Sequence, residues 1–223
     1  MTVTELAFFV GASGPVTAEG TEVINQAIEV QTEWSTRNAP SMPQGRENRG
    51  VSFLQQIEDP SVYLLTAHWA SVEEHNLCIA APENRETLSK IPPYFQVDKI
   101  VYFHLKDVAI NSTSGKNGEI SILQSPIISV GRLTIAAEKR QAFEQAWNEV
   151  KGILEEFVKP NVVKNGWRLE KENETTEEFV LVAGWPNLEK YRDFAQAKDF
   201  ERYQSVLASF AQTRDLKCYR RIL

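Results

Sequence analysis

Cysteine and long apolar runs are scarce in this chain of 223 residues. The two cysteines, Cys78 and Cys218, are far apart and provide neither a disulfide framework nor a thiolate zinc site. Such low cysteine content is typical of a reducing compartment, and we expect a cytoplasmic protein. No apolar run approaches the roughly 20 residues that span a bilayer, and residues 1–5 lack the pattern that begins a signal peptide. We therefore expect no membrane partner.

The chain also lacks an excess of positive charge and any nucleotide-binding motif. Lys and Arg total 24 against 30 Asp and Glu, and the net charge of −6 predicts no nucleic-acid partner. The sequence contains no Gly-rich dinucleotide fingerprint, no phosphate-binding loop and no Gly-x-Ser-x-Gly elbow. Metal-ligand types occur together at His68, Glu73 and His75, but their spacing is not that of a zinc site. We expect no cofactor and no metal.

What the chain does contain is an internal repeat. Segment 62–73 returns 116 positions later as segment 178–189. With the offset increased by one, segment 98–102 matches segment 215–219. The identical pairs in the first match are Leu65/Leu181, Ala67/Ala183, Trp69/Trp185 and Glu73/Glu189. We interpret this pattern as a duplicated domain.

The hydrophobic periodicity of each half predicts the order β-α-β-β-α-β. The predicted strands are 3–10, 51–58, 62–69, 98–105, 127–135, 166–173, 178–185 and 216–222; the predicted helices are 18–37, 71–89 with a break at Pro82, 137–158 and 187–210. A sheet built this way has helices on one face only, so its other face needs a second layer. The fold class is therefore α+β, with two ferredoxin-like units whose sheets pack face to face as an intramolecular dimeric α+β barrel.

The domain boundaries follow from the repeat and from composition. Residues 111–118 are rich in Ser, Asn and Gly, which is typical of a linker. We expect a first domain at 1–110, a linker with a strand lead-in at 111–126 and a second domain at 127–223. Association into a larger homo-oligomer stays open at this point.

A short motif follows the third strand of the first unit. Trp69 is followed by Ser71, Glu73 and His75 in the pattern x-Ser-x-Glu-x-His. With the repeated β-α-β-β-α-β order, this resembles the dimeric α+β barrel superfamily, in particular the antibiotic biosynthesis monooxygenase domains, here in tandem. The resemblance covers most of the chain by architecture. It implies the barrel fold and an oxygenase activity that needs neither metal nor flavin.

The resemblance also implies site positions. Family members that oxidise aromatic polyketides to quinones have an Asn four residues before the Trp and a Tyr six residues after it. The corresponding residues here are Leu65, Trp69 and His75 in the first half and Leu181, Trp185 and Tyr191 in the second. The Trp matches in both halves, the Tyr matches only in the second, and the Asn is absent from both. The family's chemistry therefore does not carry over intact.

All three histidines lie in the first half, at His68, His75 and His104. Their counterparts in the second half are Gly184, Tyr191 and either Arg220 or Arg221. Histidine has the unperturbed pKa nearest neutrality, so we predict His75 as the catalytic base, with His68 as the second candidate. Neighbouring strand residues point to opposite faces, so Trp69 is expected to face the helices with His75, and His68 the barrel interior.

Aromatic side chains suggest the ligand. Five Trp, six Tyr and 11 Phe fill a core, but they would also suit a pocket for a flat apolar molecule. The predicted substrate-binding residues are Trp34, Phe53, Trp69, Tyr94, Trp185 and Tyr191. We predict a cofactor-independent enzyme acting on a hydrophobic aromatic or polyketide-like molecule, as a monooxygenase or as a cyclase or isomerase. The alternative is a non-catalytic, ligand-binding or stress-related barrel.

Overall fold

The computed structural model describes residues 2–111, 113 and 118–223. The predicted linker residues 112 and 114–117 lie outside the described residues. The strands are β1 (Val3–Val10), β2 (Ser52–Gln56), β3 (Val62–Trp69), β4 (Val101–Lys106), β5 (Ile127–Ala136), β6 (Val163–Trp167), β7 (Thr176–Trp185) and β8 (Ala211–Arg221). The helices are α1 (Ala18–Asn38), α2 (Val72–Ala80), α3 (Pro82–Leu88), α4 (Arg140–Val158), α5 (Leu188–Asp193) and α6 (Phe200–Phe210).

The eight strands form one antiparallel sheet in the order β4-β1-β3-β2-β8-β5-β7-β6. Each half therefore has the strand order of a ferredoxin-like unit, and β2 joins the two halves by pairing with β8. At the other edge, β4 approaches the end of β6 through a bridge between Leu105 and Arg168. The sheet is thus a nearly closed barrel. This confirms the α+β fold of two ferredoxin-like units that the sequence predicted.

The strands divide their side chains between two layers, as their alternation requires. On β3, Tyr63, Leu65, Ala67 and Trp69 belong to the core beneath the helices of the first unit. Leu64 points the opposite way, into the core enclosed by the two sheets. A third core lies beneath the helices of the second unit. The barrel interior is therefore a packed layer between two outer cores.

The helices begin at the residues that their caps specify. The side chains of Thr17, Ser71 and Asn187 accept hydrogen bonds from backbone N–H groups in the first turns of α1, α2 and α5. In α4 one buried face comprises Phe143, Trp147, Val150, Leu154 and Val158, at the helical spacing that the sequence showed. No helix in the described part of the chain is both long and apolar enough to cross a membrane.

Several predicted elements have other bounds in the structure; the strands predicted at 98–105 and 216–222, for example, lie at Val101–Lys106 and Ala211–Arg221. Two further elements differ for reasons that the structure shows. The strand predicted at 166–173 lies at Val163–Trp167, because the chain beyond it turns towards β4, where the N–H of Leu169 donates to the carbonyl of His104 at 2.8 Å. The single helix predicted at 187–210 is two helices, α5 and α6. Asp199, with φ of 66°, lies between them in the left-handed region and interrupts the helical path.

The segments next to the predicted linker help to fill the barrel. Val108 and Ile110 on one side, and Ile122 and Leu123 on the other, are buried in the interior core. These side chains are therefore part of the packing between the two sheets. The domain boundaries at 1–110, 111–126 and 127–223 stay a prediction.

Gly50 holds the segment after β4 against β3. Its φ is +58°, and an added Cβ would lie 2.1 Å from the carbonyl oxygen of Ile110 and 2.5 Å from the ring of His68. A residue with a side chain would meet both a disfavoured backbone region and backbone atoms that have no room to move. Glycine is therefore required at this crossing.

We predict that Gly50→Ala lowers the free energy of unfolding by about 1–3 kcal/mol, the usual cost of a non-glycine residue in a strained region. Gly152→Ala is the control, because Gly152 lies within α4 and an added Cβ has no neighbour within 4 Å. That change should raise the free energy of unfolding by about 0.5–1 kcal/mol. Urea denaturation measures both. Equal stability of Gly50→Ala and the wild type would contradict the assignment.

Candidate functional site

The first unit contains a cavity of about 270 Å³ between its sheet and its helices. Most of the wall is apolar and includes Ala7, Phe9, Ile24, Ile28, Leu65 and Ile91. The carboxyl group of Glu5 and the imidazole of His75 also line it. Val97 and Tyr102, which are 50% and 44% exposed, lie where the cavity meets solvent. The cavity is therefore an apolar site with one polar wall, as small-molecule sites commonly are.

Glu5 is a buried carboxyl group on an otherwise apolar strand. It lies on the helix-facing side of β1, together with Val3, Ala7 and Phe9. Its Oε2 accepts a hydrogen bond from Nε1 of Trp69 at 2.9 Å. Burial raises the pKa of Glu5 from 4.5 to about 7, although the Trp69 hydrogen bond acts in the opposite direction. Glu5 can therefore take up or release a proton near neutral pH.

His75 lies against Glu5, one turn into α2, where the N-cap Ser71 sets the start of the helix. Its ring stacks on Trp69 with centroids 4.5 Å apart, and its Nε2 is 3.3 Å from Oε2 of Glu5. Burial, and then the neighbouring His104, lower the pKa of His75 to about 3. The ring is therefore neutral at neutral pH, and its 3.3 Å approach to Glu5 is a close contact of polar atoms rather than an ion pair.

The polar groups continue beyond the first unit. Nδ1 of His75 is 2.8 Å from Nε2 of His104, and Nδ1 of His104 is 2.5 Å from Oε1 of Glu170. Oε2 of Glu170 also accepts the backbone N–H of His104 at 2.8 Å. Partial burial would raise the pKa of Glu170, but the hydrogen bonds from His104 outweigh it and lower that pKa. Glu170 comes from the second unit, so residues of both units meet here.

The second unit has a matching cavity of about 340 Å³. Its walls include Leu133, Leu181, Trp185, Tyr191, Phe194 and Phe200. Nε1 of Trp185 donates to the hydroxyl of Ser129 at 2.8 Å, as Trp69 donates to Glu5 in the first unit. The side chain of Tyr191 hydrogen-bonds that of Cys218, and burial raises the pKa of both, that of Cys218 to about 12. At the positions of Glu5 and His75 this cavity therefore has a hydroxyl group and a protonated phenol, and Arg214 and Asp215 also line it.

The strand register corrects one of the predicted pairs. Glu5 lies opposite His104, and Ser129 lies opposite Cys218, so the counterpart of His104 is Cys218 rather than Arg220 or Arg221. The sequence match at 98–102 and 215–219 was three residues out of register. The reason is that Tyr102 and Tyr219, which suggested the match, are not equivalent in the sheet: Tyr102 lies opposite Ala7, whereas Tyr219 lies opposite Ile128.

The other predicted site residues lie away from the first cavity. His68 faces the barrel interior, where its Nδ1 is 2.8 Å from the hydroxyl of Thr4 and its Nε2 is 2.6 Å from the carbonyl oxygen of Ile110. These contacts attach the segment after β4 to the sheet. Phe53 stacks on Tyr63 within the core, with ring centroids 5.0 Å apart.

The remaining predicted aromatics divide between the two units. Trp34 is buried in the first core, and Tyr94 packs beside Gly20 at its edge; neither is among the residues lining the first cavity. Trp69 supports the polar wall through its contacts with Glu5 and His75. Trp185 and Tyr191 line the second cavity.

Sequence reasoning missed Glu5 and Glu170. A signal for Glu5 was available, because it is the single charged residue of an apolar strand and shares the face of Val3 and Ala7. Glu170 gave no local signal, because its partner His104 is 66 positions away. Within the described residues no group of three or more His, Cys, Asp or Glu side chains is placed to hold a metal ion.

These features define a dimeric α+β barrel whose two ferredoxin-like units are joined in one chain. No family model and no curated protein sequence matches it. Among solved structures, an anthrone oxidase-like protein aligns with a TM-score of 0.66 and 14% identity, covering 100% of this chain and 92% of that one. An inferred monooxygenase of Fusobacterium nucleatum subsp. nucleatum aligns with a TM-score of 0.62 and 13% identity, covering 100% of this chain and 93% of that one. An inferred monooxygenase of Lactobacillus acidophilus NCFM aligns with a TM-score of 0.60 and 12% identity, covering 99% of this chain and 93% of that one. This likeness shows the fold.

The raised pKa of Glu5 predicts a pH-dependent stability. Between about pH 4.5 and 7 the folded protein holds a proton on Glu5 that the unfolded chain releases, so stability is lost as pH rises through this window. Relative to Glu5→Gln, which keeps an oxygen acceptor for Trp69, the wild type should lose about 1–3 kcal/mol between pH 5 and pH 8. Urea denaturation across this range measures the difference.

The control is Glu22→Gln, because Glu22 is an exposed carboxylate on α1. This variant should follow the wild type across the whole pH range. A constant difference between the wild type and Glu5→Gln would show that Glu5 does not change its protonation there.

Proposed function

We propose that the protein is an oxygenase acting on a hydrophobic aromatic small molecule in the cavity of the first unit. The observation that carries the proposal is the contact between Glu5 and His75 in the wall of an otherwise apolar cavity. A carboxyl group with a pKa of about 7 is suited to accept a proton near neutral pH. The apolar wall accommodates a flat ring system.

The proposed chemistry begins with proton transfer from a phenol or an activated C–H group of the substrate to the carboxylate of Glu5. His75, neutral and held by Trp69, keeps that carboxylate in position. The resulting carbanion is rich in electrons and reduces dioxygen, the co-substrate. For anthrone the balanced reaction is anthrone plus O₂ giving anthraquinone plus water, so the ring carbon is oxidised by four electrons and O₂ supplies both new oxygen atoms.

The structural relatives favour an oxygenase over a cyclase or isomerase. They include an anthrone oxidase-like protein and two inferred monooxygenases of the same fold. The residues alone support removal of a proton, which begins all three reactions. The sequence predicted His75 as the base, but its pKa is lowered to about 3, so we assign the role of proton acceptor to Glu5, whose pKa is raised to about 7. Consumption of dioxygen separates an oxygenase from the other two reactions.

The second cavity favours ligand binding without chemistry. Ser129 and Tyr191 stand at the positions that Glu5 and His75 occupy in the first cavity, and burial keeps the phenol of Tyr191 protonated. Gln204, Arg214 and Asp215 also line this cavity. The apolar lining still accommodates an aromatic molecule. In the proposal this unit closes the barrel and retains a binding cavity, while the first unit carries the reaction.

We expect His75→Ala and Glu5→Gln to lower the turnover of anthrone by about 10²–10⁴-fold, the usual effect of losing a proton acceptor or its support. Tyr191→Phe is the matched control at the equivalent position of the second unit, and should change turnover much less. Circular dichroism and thermal unfolding establish that each variant is folded. A folded, fully active Glu5→Gln together with an inactive Tyr191→Phe would place the reaction in the second unit.

Turnover should consume one molecule of dioxygen for each anthraquinone formed, and it should persist after exhaustive chelation. The reason is that proton removal by Glu5 leaves an anion that can react with dioxygen directly. An oxygen electrode and the absorbance of anthraquinone measure the ratio. Activity lost on chelation and restored by one particular metal would contradict the cofactor-independent mechanism. Failure to oxidise anthrone in the presence of dioxygen would contradict the proposed function.

A further inference from the structure

Four ionisable side chains form one continuous line from the first cavity to the surface. They are Glu5, His75, His104 and Glu170, joined by side-chain contacts of 3.3, 2.8 and 2.5 Å. At the inner end, Glu5 and His75 line the cavity. At the outer end, the side chain of Glu170 is 38% exposed, whereas that of His104 is 1% exposed. The line therefore has one end in the proposed site and one end in solvent.

We infer that this line is a proton relay that connects the first cavity with solvent through a carboxylate of the second unit. The inference rests on the proposed function, in which Glu5 accepts a proton from the substrate. In it, His104 and Glu170 are positioning and relay residues that do not contact the substrate. The site of the first unit is then complete only when the second unit closes the barrel.

Neighbouring groups in the line are close enough for each proton to pass from one group to the next. The shift starts from the state in which Glu5 is protonated, Glu170 is ionised and each imidazole carries one proton, on Nδ1. The O–H of Glu5 passes its proton to Nε2 of His75, the proton on Nδ1 of His75 passes to Nε2 of His104, and the proton on Nδ1 of His104 passes to Glu170. The shift leaves the charge of each ring unchanged, and a negative charge moves from Glu170 to Glu5, which is then the carboxylate that accepts the proton of the substrate. The reverse shift returns a proton to the cavity, where reduced dioxygen needs it to form water, and restores both rings.

The surroundings of the line support this role. The neutral state of His75, which its lowered pKa requires, is the state that a relay of this kind uses. Trp69 stacks on His75, and the ring of Tyr102 packs edge-on at 5.6 Å from it, so the imidazole is held in one orientation. The thiol of Cys78 also interacts with Glu5, and burial raises its pKa to about 12, so it keeps its proton.

The two units meet along two seams, one between β4 and β6 and the other between β2 and β8. The seam between β2 and β8 offers an internal comparison. Glu58 accepts the backbone N–H of Cys218 at 3.0 Å, as Glu170 accepts that of His104. The equivalent line there is Ser129, Tyr191, Cys218 and Glu58. Burial raises the pKa of both Tyr191 and Cys218, so these groups hold their protons. The backbone contact of the glutamate is therefore common to both seams, and the pair of imidazoles distinguishes the first.

The test compares Glu170→Ala with Glu58→Ala in the full-length protein. Both variants lose the same backbone hydrogen bond at a seam, so a purely structural role predicts similar effects. We expect Glu170→Ala to lower kcat for anthrone by about tenfold or more, with KM little changed, and added formate to restore kcat by replacing the missing carboxylate. Glu58→Ala should retain kcat and show no dependence on formate.

A second measurement needs no substrate. The ¹⁵N signals of the His75 ring should change in Glu170→Ala, because the proton positions along the line shift, and should be unchanged in Glu58→Ala. If Glu170→Ala keeps the wild-type kcat and the wild-type His75 signals, the relay is wrong. If Glu170→Ala changes the His75 signals while the wild-type protein does not oxidise anthrone, the relay geometry stands and the proposed function fails.

Discussion

Each four-stranded sheet in this protein is apolar on both faces, and the rest of the structure follows from the need to cover them. Its own helices cover one face, as the core around Ile28 and Phe95 shows. The other face carries residues such as Leu64 and Val180, and only the sheet of the other unit covers it. Exposing such an area to water would cost about 25 cal/mol for each Å². Neither unit is therefore expected to be stable without its partner, and closing the barrel creates the seam at which His104 meets Glu170.

The sequence predicted those parts of the fold that depend on local pattern. The predicted bounds of β3 agree with the structure, because alternation on both faces and the Trp69 at its end define it clearly. The position of β6 could not be predicted in this way, because the strand ends where the chain turns towards β4. The site shows the same division. His75 was recognisable by residue type, whereas its contacts with Glu5 and His104 exist only once three elements have packed together.

The two units share the same arrangement of strands and the same buried Trp, but they differ in the polar groups beside it. A Trp from the third strand donates to the first strand in both, yet the acceptor is a carboxyl group in one and the hydroxyl of Ser129 in the other. A buried ionisable group such as Glu5 reduces stability when it is charged, whereas a hydroxyl at that position does not. The second unit can therefore supply stability while the first holds the groups suited to chemistry. Duplication makes this division possible without a second gene product.

The two seams between the units are unequal because the units are joined in one chain. At one seam β8 runs beside β2 as far as Arg221, close to the end of the chain. At the other, the chain leaves β4 at Asp107, whose φ is 53°, and Val108 packs on Gly166, where the longer seam has a strand pair. A free dimer of identical subunits could form two equal seams. In a single chain the connecting peptide has to leave from one of them, so the symmetry is broken at the place where the imidazoles of the first unit reach the second.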